Sequence, residues 1–308
     1  MKSVKQLGSL VLALTIIQSS AFAGNSIKNS KEHCDFLPKN NLRIPVGMEM
    51  AGGIDQATFN RVIDTISAVY APIIKSKGGT LKVNRLWTDA TVNASAERKG
   101  KTWVLNMYGG LARHSVTTED GFALVFCHEM GHHLGGFPEI GSGDGNPDWA
   151  ANEGQADYFA TMKCFRRVFE KADNASVVAK LNVPEFVKTK CANTFKSQEE
   201  INLCERESMG GNTLALLLWT LSNGGSSGLA PDASKKPAFD TPDTSHVSST
   251  NDNHPAAQCR LDTYFNGSIC GISYTEDFGK SDPSTGACAQ EKGDQYGYRP
   301  LCWYKPKN

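Results

Sequence analysis

Apolar residues recur at three- to four-residue intervals from Phe59 through Val62, Ile63, Ile66, Val69 and Tyr70, and Asp55 stands just ahead of them. The spacing predicts an amphipathic helix, capped by Asp55, ended by Gly78-Gly79, and packed by one face on a core. The period then changes. In "TLKVNRLW" Leu81 and Val83 alternate with polar neighbours, and "TWVLNMY" at 102–108 has the β-branched and aromatic content of a strand ahead of Gly109-Gly110. Two or three strands are expected in this stretch. Thr118-Glu119-Asp120 precedes the apolar run 122–126, which continues into "FCHEMGHHLGG", so that motif should lie on a helix ended by Gly135 and Gly136. A loop rich in Gly, Asp and Pro at 141–148 leads to a second helix over about 149–169, and another apolar helix covers about 208–221. Residues 223–253, rich in Ser, Gly, Pro, Asp and Thr, read as a long loop rather than a linker between two cores. The expected fold is α+β: one mostly helical domain with a small antiparallel sheet flanking the motif helix.

Composition narrows the setting. Across 308 residues, 32 Lys and Arg balance 32 Asp and Glu, so net charge points to neither nucleic acid nor an anionic membrane as principal partner. Lys2 and Lys5, an apolar run at 7–17 and the small-residue end Ala21-Phe22-Ala23 read as a secretory signal peptide over 1–23. No later stretch approaches eighteen uninterrupted apolar residues, so no integral membrane segment is expected in the mature chain. The expected location is periplasmic or extracellular. All nine cysteines follow residue 23, which suits disulfides, and an odd count leaves at least one unpaired. Short separations suggest Cys191 with Cys204, Cys259 with Cys270, and Cys288 with Cys302, although spacing alone does not fix connectivity.

The chemistry centres on "FCHEMGHHLGG". Positions i and i+4 share a helix face, so His128 and His132 can direct imidazoles at one ion, with Glu129 beside them. Two imidazoles and a carboxylate hold Zn2+ with a position left open, and Glu129 is then placed to take a proton from water. One ion per chain is implied. A third ligand could follow Gly135 by three residues, but Pro138 stands there and cannot ligate. His133 is rotated about 100° from His132 and reads as a histidine beside the site or on the surface. The better third ligand is Glu153, in "NEGQAD", 21 residues beyond His132. Asp157, one turn further on the same face, can accept a hydrogen bond from the non-ligating nitrogen of a metal histidine. Cationic donors for a developing oxyanion are sought downstream, where "HPAAQCR" offers His254 and Arg260.

Together these segments resemble the gluzincin metallopeptidases that include the CAAX prenyl endopeptidases, the bacterial membrane heat-shock peptidase and soluble periplasmic relatives. "HEMGHH" with "EGQAD" is similar to that family's paired metal motifs, "HPAAQCR" to its H-P-x-x-x-x-R, and "NASAERKGKTWVLNMYGGL" to the segment upstream of its zinc helix. The likeness covers about 92–260. It implies His128, His132 and Glu153 as zinc ligands, Glu129 as general base, Asp157 behind a ligand, and His254 with Arg260 steadying the transition state. It also implies an open strand edge near Ala94, Trp103 and Leu105 to which a substrate peptide adds, although Trp103 and Tyr108 could equally be core. Transmembrane helices common in the family are missing, so membrane substrates do not carry over.

The chain is thus expected to comprise a signal peptide (1–23), a metallopeptidase domain (24–260) and a cysteine-rich extension (261–308) packed on it, either as a lid or as a stabilising tail. Cys164 lies eleven residues, about 16 Å of helix, beyond Glu153, whereas Cys127 is level with the metal. That argues against their bridging and nominates Cys127 as the unpaired cysteine. The expected activity is zinc-dependent hydrolysis of peptide bonds in a protein or peptide. A cell-wall amidohydrolase and a non-catalytic binding protein are the rivals, and the intact Glu129 disfavours the latter.

Overall fold

The computed structural model describes residues 33–48, 52–140, 149–222 and 232–306. The expected signal peptide, the loop 141–148 and residues 223–231 of the long loop lie outside the described residues. The chain opens with β1 (His33–Asp35) and α1 (Gln56–Ser76), then β2 (Thr80–Leu86), β3 (Ala94–Lys99), β4 (Thr102–Tyr108) and the short α2 (Gly109–Ala112). Asp55 caps α1, accepting the Thr58 N–H at 2.8 Å, and the periodic residues Phe59, Val62, Ile63, Ile66 and Tyr70 are buried.

The sheet has the order β1-β3-β4-β2. It is mixed rather than antiparallel: β1 and β4 run antiparallel to β3, but β2 pairs parallel with β4. The reason is the order of reversal. β2 joins the outside of β4, which has already turned back on β3, so β2 and β4 point the same way. Arg113 holds the connection from β2, its guanidinium donating to the carbonyls of Ile44, Trp87 and Asp89 at 2.9, 2.7 and 3.1 Å. Period-two alternation divides the sheet faces. Ala94, Ala96, Leu105 and Met107 enter the main core with α1 and the motif helix, while Asn84, Ser95, Glu97 and Asn106 form a hydrogen-bonded polar face.

The motif helix is α3 (Glu119–Leu134), capped by Thr118, with every residue from Gly121 to His133 buried. The second helix starts at α4 (Glu153–Phe159) because Asn152 caps it, accepting the Gln155 N–H at 2.9 Å. It continues through a π-helical turn, Ala160–Phe165, into α5 (Arg166–Phe169). After α6 (Asn174–Val178) and α7 (Glu185–Thr194) comes α8 (Gln198–Ser222), which begins ten residues before the apolar run that announces it. Its first turns are mostly polar: Leu203 and Cys204 are buried, but the buried Arg206 and Glu207 beside them are paired ions, with Asp120 and Arg166, which interrupts the apolar period. Last is α9 (Ala257–Ser268).

α3 and the second helix run antiparallel: Ala151 lies by His132, Ala156 by Gly131, Asp157 by His128 and Cys164 by Cys127. Gly131 allows the approach, since a β-carbon there would lie 2.8 Å from the Ala156 backbone. This geometry corrects one expectation, because Cys127 and Cys164 are bridged, with Cα atoms 5.5 Å apart. The expectation counted a regular α-helix from Glu153 to Cys164, whereas the π-helical turn Ala160–Phe165 lies between them and changes the helix's pitch before Cys164. Cys34, not Cys127, is the free cysteine, and it is buried. Cys191 bridges Cys204 as expected, but the tail pairs Cys259 with Cys302 and Cys270 with Cys288, one bridge nested in the other. Nesting folds the extension back on the second helix: Trp303 is buried against Gly154, and Arg299 donates to Gln155 at 2.6 Å. Among the described residues no helix is long and apolar enough to cross a membrane.

Candidate metal centre

The i,i+4 spacing places both α3 histidines against the start of α4. Each imidazole is fixed from behind. His132 Nδ1 donates to the Ala151 carbonyl at 2.8 Å, and since a carbonyl only accepts, the lone pair of His132 must be on Nε2. His128 Nδ1 likewise donates to Asp157 at 2.7 Å, leaving its Nε2 lone pair free. His128 Nε2 lies 3.3 Å from one Glu153 oxygen and His132 Nε2 lies 3.7 Å from the other. Donors about 2.0–2.1 Å from a tetrahedral ion sit about 3.3 Å apart, so these spacings fit a shared metal. The three ligand atoms lie within 4.8 Å of one another and all three residues are buried.

Unsatisfied atoms point the same way. His128 Nε2, His132 Nε2 and Glu153 Oε2 are buried without a hydrogen-bond partner, an arrangement costly for the protein unless an ion completes it. Electrostatics hold His132 and Glu153 in ligating forms and make His128 a strong seat for a positive charge. Burial pushes His132 down to about 4 and so holds it neutral. Burial also opposes protonation of His128, but Asp157 and Glu153 outweigh it and raise that pKa to about 9; a cation in place of the proton takes up the same field. Burial works against ionised Glu153, yet His254 and the two imidazoles hold its pKa below the usual range. Glu129 differs from these three. Both its oxygens are buried without a partner, and burial drives its pKa well up, giving a carboxylate with unusual affinity for a proton.

Asp157 is the hub behind the site. It takes His128 on one side and a two-nitrogen grip from Arg260 on the other, at 2.6 and 2.7 Å, and also accepts from the Tyr264 hydroxyl. The resemblance places Arg260 beside a reacting carbonyl. Its guanidinium is instead fully buried, giving its remaining hydrogen bonds to the Phe36 carbonyl at 2.9 Å and to Tyr264. Its reach is used up on the far side of His128, so it positions Asp157 rather than touching a substrate. His254 does reach the centre, with Nε2 3.4 Å from Glu153 and donating to the Asp35 carbonyl at 2.7 Å.

His133 is turned away from the ligands and stacked between Trp103 and Trp149, with Arg98 over both indoles. The expected substrate edge is not open. Trp103 and Leu105 belong to β4, an interior strand, and are buried in the core; Ala94 belongs to β3, whose outer edge carries β1. Sequence reasoning missed Tyr264, Phe36, Asp35 and Cys34. Tyr264 was findable, because it follows Arg260 by one helical turn. Cys34 and Asp35 come from a three-residue strand too short to show a period, and Phe36 follows it directly. A second cluster, Asp243 with Cys259 and Cys302, offers no metal site because its sulfurs are joined to each other.

Compared with protein-family models, curated proteins and solved structures, the chain finds no significant match.

Proposed function

We propose that this chain is an exported zinc-dependent endopeptidase of the gluzincin type. The observation that carries the reading is Glu129. A site that only stored a metal would have no use for a buried, unpartnered carboxylate next to ligand His128. Two imidazoles and one carboxylate are a donor set that catalytic zinc takes. Zinc held there would supply a Lewis acid that polarises a carbonyl and makes water more acidic. His128, His132 and Glu153 hold the ion. Glu129 takes the proton from the attacking water and passes it to the leaving amine. His254 donates its Nε2–H toward the substrate oxygen, while Asp157, Arg260 and Tyr264 fix the tilt and tautomer of His128. Export fits the four disulfides, which call for an oxidising compartment.

The test measures bound zinc and casein cleavage for the native chain, Glu129→Gln and Glu153→Ala. Glu129→Gln should retain one zinc per chain and lose about 10²- to 10⁴-fold in cleavage rate. Glu153→Ala should bind zinc more weakly. Full cleavage by Glu129→Gln would refute the mechanism, and unchanged zinc affinity in Glu153→Ala would refute the ligand set.

A further inference from the structure

One short segment makes three contacts with the machinery just described. β1 lies on the outer edge of β3, with His33 opposite Glu97, Cys34 opposite Ala96 and Asp35 opposite Ser95. The Asp35 carbonyl receives the His254 Nε2–H, the donor that also faces Glu153. The Phe36 carbonyl receives Arg260, and the Phe36 ring meets the His128 imidazole edge-on at 5.2 Å.

Register decides which β1 side chain faces the metal centre. Cross-strand partners project to the same face, and Ala96 projects into the core shared with α3. Cys34 therefore faces α3, while His33 and Asp35 project to the other face and bond each other at 2.7 Å. Cys34 is 2% exposed and packs with Ile140 and Ala150, next to the Ala151 carbonyl that orients His132. An extended chain on a sheet edge, offering a backbone carbonyl to a donor beside the ligands, is what a bound peptide would present.

We propose that His33–Asp35 is a built-in plug, a substrate-like strand sealed by Cys34, that holds the folded chain at a low basal rate of cleavage until this strand leaves β3. The inference rests on the peptidase reading. The plug is built to move. Its ladder is three residues long and the flanking side chains of His33 and Asp35 are part-exposed, whereas Phe36 and Leu37 are fully buried and anchor the chain behind it. Displacement thus frees the β3 edge and His254 together and leaves the core in place.

The test uses the zinc-loaded full chain and an aryl disulfide. Cys34 is its sole target, since the other eight cysteines are bridged. The Cys34 thiolate attacks one sulfur of the reagent, forming a mixed disulfide and releasing one aryl thiolate. The bulky adduct cannot be seated under β1. The labelled chain should cleave casein at least tenfold faster than the unlabelled chain, and Cys34→Arg should match it while Cys34→Ser stays at the basal rate. A labelled chain that cleaves no faster than an active native chain overturns the plug. Absence of cleavage from both forms with zinc bound would sink the peptidase reading instead. Zinc loss to a chelator then decides the plug: at least tenfold faster loss after labelling supports it, and equal rates overturn it.

Discussion

Asp157 bonds His128, Arg260 and Tyr264 at once, so the imidazole facing the metal site is free in neither tautomer nor tilt. Asp157→Asn keeps the shape but weakens the grip of Arg260 and the pull on the imidazole proton. Competition against a zinc-binding dye should show affinity falling about 10- to 100-fold, the usual cost of losing such a partner. At this scale the sequence was most legible where chemistry and helical period coincide. His128, His132, Glu153 and Asp157 are paired at i,i+4, and the structure gathers all four around one centre. Arg260 was legible as a residue of the site but not in its direction, because spacing does not tell which side of a histidine a guanidinium will take. Cys34 carried no signal at all, since a lone thiol between His and Asp looks the same on a strand or a loop.

Among the elements, the crossing of α3 with the second helix positions all three ligands, and the Cys127–Cys164 bridge clamps it. The bridge spans 37 residues, and a loop of that length constrains the unfolded chain by about 3–4 kcal/mol. The double variant Cys127→Ala, Cys164→Ala should lose roughly that much in denaturant unfolding and bind zinc less tightly as the helices separate. Less loss than about 1 kcal/mol would mean that Gly131 packing alone holds the crossing. The period-3.6 pattern located α1 and its cap Asp55 well, because an apolar face follows a polar N-cap; α3, buried on every side, was legible instead from its continuous apolar run and the i,i+4 histidines. The pattern failed where burial is met by ions, as in the opening turns of α8, and where the helix itself changes pitch, as in Ala160–Phe165. The parallel pairing of β2 with β4 was invisible for another reason: alternation identifies a strand, not the neighbour it chooses.

For the whole molecule, the metal centre is a tie between distant parts of the chain. Residues from Asp35 to Arg260 converge on it, so occupancy should be felt globally. At a free zinc concentration of about 1,000 times Kd, binding stabilises the fold by roughly 4 kcal/mol. Calorimetry with and without a chelator should therefore show Tm falling by several degrees on zinc removal, and no fall would mean that the site holds no ion in solution. The α+β class was readable from the alternation of periods, while the nested tail bridges were not. Nearest-neighbour pairing assumes a chain that runs forward, and this one folds back so that Trp303 can cover Gly154.

The spare thiol also bears on how the protein is made. Cys34 leaves the ribosome ahead of every other cysteine, and Cys127 comes next. Oxidation in order of emergence would join those two and strand Cys164, placing a false crosslink on the helix that bears the histidines. Under that order, native pairing needs Cys34 shielded early or the error reshuffled by an isomerase. Cys34→Ala, produced in an oxidising compartment without isomerase, should give a larger fraction of correctly bridged protein by peptide mapping than the native sequence does.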